Sequence, residues 1–189
     1  MKEMRNPINS KEILKEYIYS DSSCIKWSDL SLKDKMKRIL CHDIQYNILL
    51  YLKFMRIEEY YEYSKKGFLT NIKLLIIKRK KNNLGNKLQL DMYSESFGKN
   101  LSVYHGGIIV HPSSKLGFNC KLHGHNCIGN NGKAQAVPQI GNNVDIGIGA
   151  CVIGDIVIGD NTIIGANAVV NKSFEGQNTL IGIPAKIKV

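Results

Sequence analysis

Aliphatic residues recur at every sixth position in the C-terminal part of the chain, and four of six are followed by glycine. The aliphatic positions are Ile140, Ile146, Val152, Ile158, Ile164 and Val170. A period of six fits neither a helix nor the plain alternation of a strand. It is typical of coiled β-structure, in which six residues make one short strand and one turn. Three such units close a triangular coil, and stacked coils bury the aliphatics in a continuous core. The pattern therefore predicts a β-helix.

The same phase extends upstream with one interruption. Stepping back by six from Ile140 reaches Ala134, Ile128, Leu122, Leu116, Val110 and Tyr104. Residues 130–138, NNGKAQAVP, are poor in strand-forming residues, yet Ile128 and Ile140 stay in phase. We expect these residues to form a loop that projects from one corner of the coil. Loops of this kind usually serve the binding face of a solenoid.

Residues from about 10 to 82 show helical spacing of apolar positions. Ser31 and Asp34 resemble a capping box at a helix start. Apolar residues then recur three or four positions apart without a proline to break the helix, at Met36, Ile39, Leu40, Ile44, Ile48, Leu52 and Met55. A second helix is predicted from Phe68 to about Lys81, ended by Asn82, Asn83 and Gly85. The expected fold class is α+β, with an α-helical domain at 1–87 and a β-helix at 88–189.

The net charge of +10 is concentrated in the helical half. Residues 1–99 hold 20 Lys and Arg against 12 Asp and Glu. The densest cluster, Lys78 to Lys81, is interpreted first as a helix end, where cations suit the negative end of the helix dipole. The alternative is contact with anionic material such as a membrane surface or an acidic polymer. Nucleic acid is not expected as a partner, because no basic motif interleaved with aromatic residues is present.

Compartment signals predict a cytoplasmic protein. The N-terminus lacks the apolar stretch of a signal peptide, and no run of about 18 apolar residues predicts a membrane-spanning helix. The five cysteines are an odd, unclustered set, which favours reduced thiols. Cys120 occupies the small-residue position of its repeat, which favours a role in packing.

Residues from about 88 to 187 resemble the hexapeptide-repeat acyltransferases. The resemblance lies in the repeats IGNNVDIGIGACVIGDIVIGDNTIIGANAVVNKSF and in the ending LIGIPAKI. Within that family the chain is most similar to serine acetyltransferases and to related enzymes of surface-polysaccharide clusters. The resemblance implies a left-handed parallel β-helix, acetyl-coenzyme A as donor and a hydroxyl group as acceptor. No metal is expected, because His123 and His125 have no third His, Asp or thiolate ligand at a telling spacing. It also implies a homotrimer, or a dimer of trimers, with active sites between neighbouring subunits.

Acetyl transfer to a hydroxyl group requires a base, and neutral imidazole suits that role near neutral pH. His105 falls where the family's D-H-x-x-G-I-V segment carries its catalytic histidine, although Tyr104 replaces the acidic neighbour and the segment is one residue short. His123 and His125 lie two apart and are expected to face the acceptor or a neighbouring subunit. His42 and His111 are weaker candidates, in the helical segment and at an ordinary repeat position.

A carboxylate could fix the tautomer of the base and stabilise the imidazolium. Asp91 matches the aspartate of the family's V-D-I segment, with Glu95 as the competing candidate. The tetrahedral intermediate needs hydrogen-bond donors, and Gly106 and Gly107 would allow a close approach of the backbone.

For acetyl-coenzyme A, the resemblance implies a binding groove along successive coils. Gly149 and Ala150 match a family segment whose backbone contacts the pantetheine arm, and Gly165 and Ala166 match its equivalent in the next coil. Lys186 matches the basic residue of the closing motif, near the nucleotide phosphates.

The acceptor is inferred from a departure from the family pattern. Serine acetyltransferases carry an Arg-His pair after the projecting loop for the carboxylate of the amino acid, and Ala136 and Val137 stand there instead. We therefore favour a sugar hydroxyl in surface-polysaccharide biosynthesis as acceptor. The alternative is L-serine, as in cysteine biosynthesis, and a further alternative is an inactive β-helical scaffold.

Overall fold

The N-terminal half of the protein is helical. The computed structural model describes residues 5, 7–25, 27–132 and 136–188. Its helices are α1 (Lys11–Ser20), α2 (Leu32–Leu40), α3 (Ile44–Tyr63) and α4 (Phe68–Leu88). Helices α3 and α4 pack together as a hairpin. Among the described helices, none has both the length and the apolar character needed to cross a membrane.

Two boundaries differ from the sequence-based expectation. The helix expected to run on from Ser31 is interrupted at His42, whose φ of 48° is left-handed. Asp43 then caps α3 by accepting hydrogen bonds from the backbone N–H groups of Gln45 and Tyr46, because a side-chain cap satisfies donors that a new helix start leaves free. Helix α4 runs past Asn82 and Asn83 to Leu88.

Gly85 lies inside α4 instead of ending it. An added Cβ would lie 2.7 Å from the carbonyl oxygen of Leu90, so glycine lets the helix pack closely on the strand that follows it. The interpretation of Lys78 to Lys81 as a helix end is therefore wrong, because α4 continues beyond the cluster to Leu88.

Short strands make up the C-terminal half, and each contributes two or three residues to one side of a triangular coil. They are β1 (Leu90–Asp91), β2 (Ser102–Val103), β3 (Ile108–Val110), β4 (Lys115–Leu116), β5 (Lys121–Leu122), β6 (Cys127–Gly129), β7 (Gln139–Ile140), β8 (Asp145–Ile146), β9 (Cys151–Ile153), β10 (Val157–Ile158), β11 (Ile163–Ile164), β12 (Val169–Val170), β13 (Thr179–Ile181) and β14 (Lys186–Ile187).

Three parallel sheets form the sides of the coil, as in a left-handed parallel β-helix. The first has the order β2-β5-β8-β11-β13, closed by the antiparallel β14, the second β1-β3-β6-β9-β12 and the third β4-β7-β10. The predicted aliphatics stack inside, because Ile146 pairs with Ile164, Val152 with Val170 and Ile140 with Ile158. The predicted α+β class with a C-terminal β-helix is confirmed.

The predicted phase is one residue wrong at its upstream end. Val103 is buried and pairs with Leu122, whereas Val110 pairs with Ile128. Val103 thus lies one position further from its partner than Val110 does, because the segment from Val103 to Val110 is one residue longer than the paired segment from Leu122 to Ile128. As a result Val103 takes the core position that the repeat assigned to Tyr104.

The interruption at residues 130–138 preserves the phase. Leu116 pairs with Ile140 and Ile128 with Val152, and both pairs are separated by a whole number of repeats. The segment leaves the coil at the corner between β6 and β7, as predicted. Residues 133–135, including Ala134, lie outside the described residues.

Another corner carries an asparagine ladder. Each amide side chain donates to the next one along the β-helix, and each residue has a left-handed φ between 55° and 64°. The ladder consists of Asn100, Asn119, Asn143 and Asn161. Asparagine tolerates this conformation better than most residues, so one residue type both turns the chain and links the coils.

A buried arginine joins the helices to the β-helix. Arg56 of α3 has no solvent exposure and forms an ion pair with Asp21 at 2.8 Å. Its other donors reach the carbonyl oxygens of Ser94, Phe97 and Gly98. A buried guanidinium is tolerated only when its charge and donors are satisfied in this way, so the network fixes α3 against the first coil.

Candidate active site

Most predicted site residues share one corner of the β-helix, here called the His105 corner. It consists of the turns at residues 104–107, 123–126, 147–150 and 165–168, which join the first sheet to the second. Backbone hydrogen bonds link the turns, since His125 N–H donates to Gly106, Gly149 N–H to Gly124 and Asn167 N–H to Ile148. The corner is therefore a continuous ridge that carries the candidate base together with the residues predicted to bind acetyl-coenzyme A.

Glycines allow the two histidine turns to pack against each other. Gly107 has a φ of +76°, and an added Cβ would lie 2.5 Å from Nδ1 of His125. An added Cβ on Gly124 would lie 2.7 Å from Cβ of His105. The imidazole of His125 thus covers Gly107, and each histidine limits the space available to the other turn.

His105 and His125 line one open cavity of about 430 Å³. Its other walls come from the end of α4, the start of α3 and the next turn, through Ile44, Lys87, Leu88, Gln89, Gly106, Gly107 and Ile148. The two imidazoles and a lysine are the ionisable groups of this lining. The cavity can therefore present a base to a polar acceptor.

The two candidate oxyanion donors differ. Gly107 N–H already donates to the carbonyl oxygen of Leu88 at 3.0 Å. Within the described part of the chain this leaves Gly106 as the better candidate, and an added Cβ there would lie 2.1 Å from the same carbonyl oxygen. The close approach that glycine was expected to permit is thus used to pack the turn against α4.

Asp91 lies away from the cavity. It sits in β1 opposite Ile109, four positions beyond His105, and its side chain is exposed. Partial burial and the carboxylate of Asp91 raise the pKa of Tyr93. Gln89 lines the cavity in place of Asp91, and Glu95 accepts a hydrogen bond from the hydroxyl of Tyr63. One chain alone does not bring either predicted carboxylate to His105, so the role of Asp91 stays a prediction.

His123 does have a carboxylate partner. Its Nε2 lies 2.7 Å from Oδ1 of Asp145, and Lys121 Nζ lies 3.6 Å from Oδ2 of the same residue. The Tyr104 ring meets the imidazole edge to face, with centroids 4.7 Å apart. His123 therefore forms a histidine–carboxylate pair beside the cavity instead of lining it with His125.

The residues predicted to bind acetyl-coenzyme A occupy different environments. Gly149 lies in the turn with a φ of +72°, and an added Cβ would lie 2.1 Å from Oδ1 of Asn167. Ala150 has no exposure, and its N–H donates to Gly147. Its methyl group packs in the core and cannot form a groove wall.

The next coil offers more accessible atoms. Ala166 is exposed in the turn after Gly165, and both continue the His105 corner. Lys186 is exposed in β14, which pairs with β13 at the end of the first sheet. Its ammonium group is thus available to an anion at that end of the β-helix.

The remaining candidates have local structural roles. Nδ1 of His111 accepts a hydrogen bond from Ser113 N–H in a turn. His42 borders a separate cavity of about 600 Å³ between α2, α3 and α4. In the basic cluster, Lys78 pairs with Glu62 at 2.8 Å and Lys81 with Glu58 at 2.6 Å. Within the described ranges no group of three or more His, Cys, Asp or Glu could hold a metal ion.

Sequence reasoning did not identify Gln89, Ile148 or Asp145. Gln89 and Ile148 reach the cavity only because of the coil register, and neither residue type signals chemistry. Asp145 pairs with Lys121 in the register, and His123 follows Lys121 by two positions. Because the phase survives the projecting loop, the repeat could have indicated that His123 and Asp145 are neighbours.

Comparisons with known proteins agree with this architecture. Residues 138–172 match the family model described as bacterial transferase hexapeptide (six repeats). Serine acetyltransferase from Staphylococcus aureus strain Mu50 is 39% identical over 93 residues, which cover 48% of this chain and 44% of that protein. The Staphylococcus xylosus serine acetyltransferase is 38% identical over 93 residues, covering 48% and 43% of the two chains. The chain thus spans less than half the length of the curated relatives it matches.

Solved structures extend the similarity into the helical half. Serine acetyltransferase isoform 3 from Entamoeba histolytica, in complex with cysteine, superposes with a TM-score of 0.63 at 20% identity, covering 94% of this chain and 60% of that one. A serine acetyltransferase in complex with CoA gives a TM-score of 0.60 at 22% identity, covering 75% and 57%. At this identity the superpositions establish the fold alone. Together with the sequence matches, they identify the C-terminal half of this chain as a left-handed β-helix of hexapeptide repeats, similar to that of the serine acetyltransferases.

Proposed function

We propose that the protein is an acetyl-coenzyme A-dependent O-acetyltransferase. The observation that carries this proposal is the His105 corner, where His105, His125, Gly149 and Ala166 lie along one ridge of a serine acetyltransferase-like β-helix. The sequence matches to serine acetyltransferases cover 48% of the chain, and the hexapeptide family model matches residues 138–172, which include part of this ridge. An inactive scaffold would not need two imidazoles in one open cavity.

In the proposed reaction His105 acts as the general base. The neutral imidazole of His105 takes the proton of the acceptor's hydroxyl group while the hydroxyl oxygen attacks the thioester carbon. The Gly106 N–H stabilises the oxyanion that forms. Return of the proton to the departing thiolate completes the transfer. The coenzyme would lie along the corner past Gly149 and Ala166, with its phosphates toward Lys186.

Two histidines compete for the role of base. His105 lines the cavity, but the described residues place no carboxylate against it. The Nε2 atom of His123 lies 2.7 Å from Oδ1 of Asp145, although the two groups are not aligned as a hydrogen bond. We favour His105 because it lines the cavity. The variants His105→Ala and His123→Ala distinguish the two assignments.

L-serine is the acceptor best supported by the comparisons. The curated relatives cited above are named serine acetyltransferases, which favours the alternative raised from the sequence over the sugar hydroxyl. A small polar amino acid is also compatible with an open cavity of about 430 Å³.

A sugar hydroxyl stays as the second candidate because of the residues that follow the loop. Val137 is 7% exposed and Ala136 is uncharged. These two positions therefore offer no cation to an amino acid's carboxylate. A neutral sugar has no need of one.

The shape of one subunit favours a shared site. The His105 corner lies where the strands of the second sheet begin, since its turn 123–126 precedes β6. The projecting loop follows β6 and so leaves at the opposite end of the same strand. If both serve the same site, they come from two chains. We therefore propose a homotrimer, with pairing of trimers as an extension.

The decisive experiment measures coenzyme A release with a panel of acceptors. Purified protein is mixed with acetyl-coenzyme A and L-serine, nucleotide sugars or oligosaccharides, and the free thiol is quantified against a reaction without acceptor. The proposal expects saturable, acceptor-dependent release with L-serine. Turnover with sugars but not with L-serine would make a sugar hydroxyl the acceptor. No turnover with any acceptor would contradict the assignment as an enzyme.

A further inference from the structure

The two cysteines of the second sheet lie directly opposite each other. Cys127 opens β6, Cys151 opens β9, and the register pairs them across adjacent parallel strands. The next residues, Ile128 and Val152, point into the core. Because side chains alternate along a strand, both thiols point outward on the same face.

The backbone spacing at the cysteine pair is compatible with a disulfide. Adjacent strands lie about 4.7–4.9 Å apart, inside the roughly 4.4–6.8 Å between Cα atoms that a disulfide spans. The two thiols are close enough for Cys127 to raise the pKa of Cys151. A disulfide also needs Cβ atoms about 3.5–4.5 Å apart, so closing the pair requires rotation about side-chain bonds and a small local approach of the two strands.

The two thiols differ in reactivity. Cys127 is exposed, whereas Cys151 is partly covered. Burial raises the pKa of Cys151, and the neighbouring Cys127 adds to the effect. Because the thiolate is the nucleophile, a raised pKa leaves less of it at neutral pH. Cys127 is therefore the residue that reacts first.

We propose that Cys127 and Cys151 form a dithiol site that closes to a disulfide by exchange with a small-molecule disulfide such as oxidised glutathione. The Cys127 thiolate attacks one sulfur of that disulfide, forms a mixed disulfide and releases one small thiol. The Cys151 thiolate then attacks the Cys127 sulfur, forms the protein disulfide and releases the second small thiol. Two protein thiols are oxidised, and one small disulfide is reduced to two thiols.

The site borders the proposed catalytic corner but does not depend on the proposed function. Cys127 follows the turn that carries His125, and Cys151 follows the turn that carries Gly149. The disulfide would tie these two turns together. The other cysteines serve as internal controls, since Cys24 and Cys41 are exposed in the helical half and Cys120 is buried with its pKa raised to about 11.

Peptide mapping of the full chain tests the proposal. The native protein is exposed to oxidised glutathione, free thiols are blocked, and the protein is digested with trypsin without reduction. Cleavage at Lys121, Lys133 and Lys172 places the two cysteines in separate peptides, 122–133 and 134–172. We expect these peptides to be disulfide-linked, with glutathione on Cys24 and Cys41 and a free thiol on Cys120.

Single variants test the order of the steps. Cys151→Ser should keep a stable glutathione adduct on Cys127, and Cys127→Ser should react several-fold more slowly at Cys151. A stable adduct on Cys127 of the native wild-type protein, with Cys151 free, would overturn the proposal. Equally fast linkage in urea-unfolded protein would do the same, because the strand register would then play no part.

Discussion

At the residue scale, the position of the His105 side chain is set mainly by the turns that pack against it. The segment from Val103 to Val110 that contains His105 is one residue longer than the paired segment from Leu122 to Ile128, and glycines at 107 and 124 allow His125 and His105 to pack closely. The sequence could identify His105 through the resemblance. It could not place Asp91, because the coil register sets Asp91 opposite Ile109 and brings Gln89 to the cavity.

Arg56 gives the first prediction. Arg56→Ala should lower the free energy of unfolding by about 3–5 kcal/mol, because Asp21 and three carbonyl oxygens would lose their buried partner. Urea denaturation followed by circular dichroism measures this.

The matched control for Arg56 is Lys99→Ala, which removes the cation of an exposed ion pair with Glu16. Exposed pairs contribute about 0–1 kcal/mol, so this variant should be nearly neutral. Equal losses in the two variants would contradict the role given to Arg56.

At the scale of elements, the six-residue period predicted most of the β-helix because each repeat buries one aliphatic in the same direction. The prediction failed at Tyr104, where the segment from Val103 to Val110 has seven steps instead of six, since periodicity counts positions and cannot detect an inserted residue. The helix boundaries failed for a different reason. His42 breaks the helix through local capping by Asp43, and Gly85 stays helical through tertiary packing against Leu90.

The asparagine ladder gives the second prediction. Asn143→Ala should destabilise the β-helix by about 1–2 kcal/mol from the left-handed backbone alone, and further through loss of the side-chain bonds to Asn119 and Asn161. Asn143→Gly loses the same bonds but removes the backbone penalty, so it should be the milder variant. Thermal unfolding compares them, and an Ala variant as stable as the Gly variant would contradict the backbone argument.

At the scale of the whole molecule, the helical half and the β-helix pack as neighbours while the proposed site is open on one side. Lys87 at the end of α4 and Ile44 at the start of α3 close part of the cavity. The sequence predicted both halves but could not show that the helices line the site. That contact depends on where Arg56 fixes α3.

Assembly gives the third prediction. A site shared between the His105 corner of one chain and the loop of another requires stable association. Light scattering coupled to size-exclusion chromatography at micromolar concentration should give the mass of three chains or a multiple of three. A monomer would contradict the shared site.

The central claim is that His105 removes the acceptor's proton at the His105 corner. The most direct test is the steady-state rate of coenzyme A release by His105→Ala, with L-serine or whichever acceptor proves active, beside wild type and His123→Ala. We predict a turnover lower by about 10²–10⁴-fold with nearly unchanged coenzyme binding, while His123→Ala keeps most of its activity. A folded, trimeric His105→Ala protein with near-normal turnover would remove His105 from the mechanism.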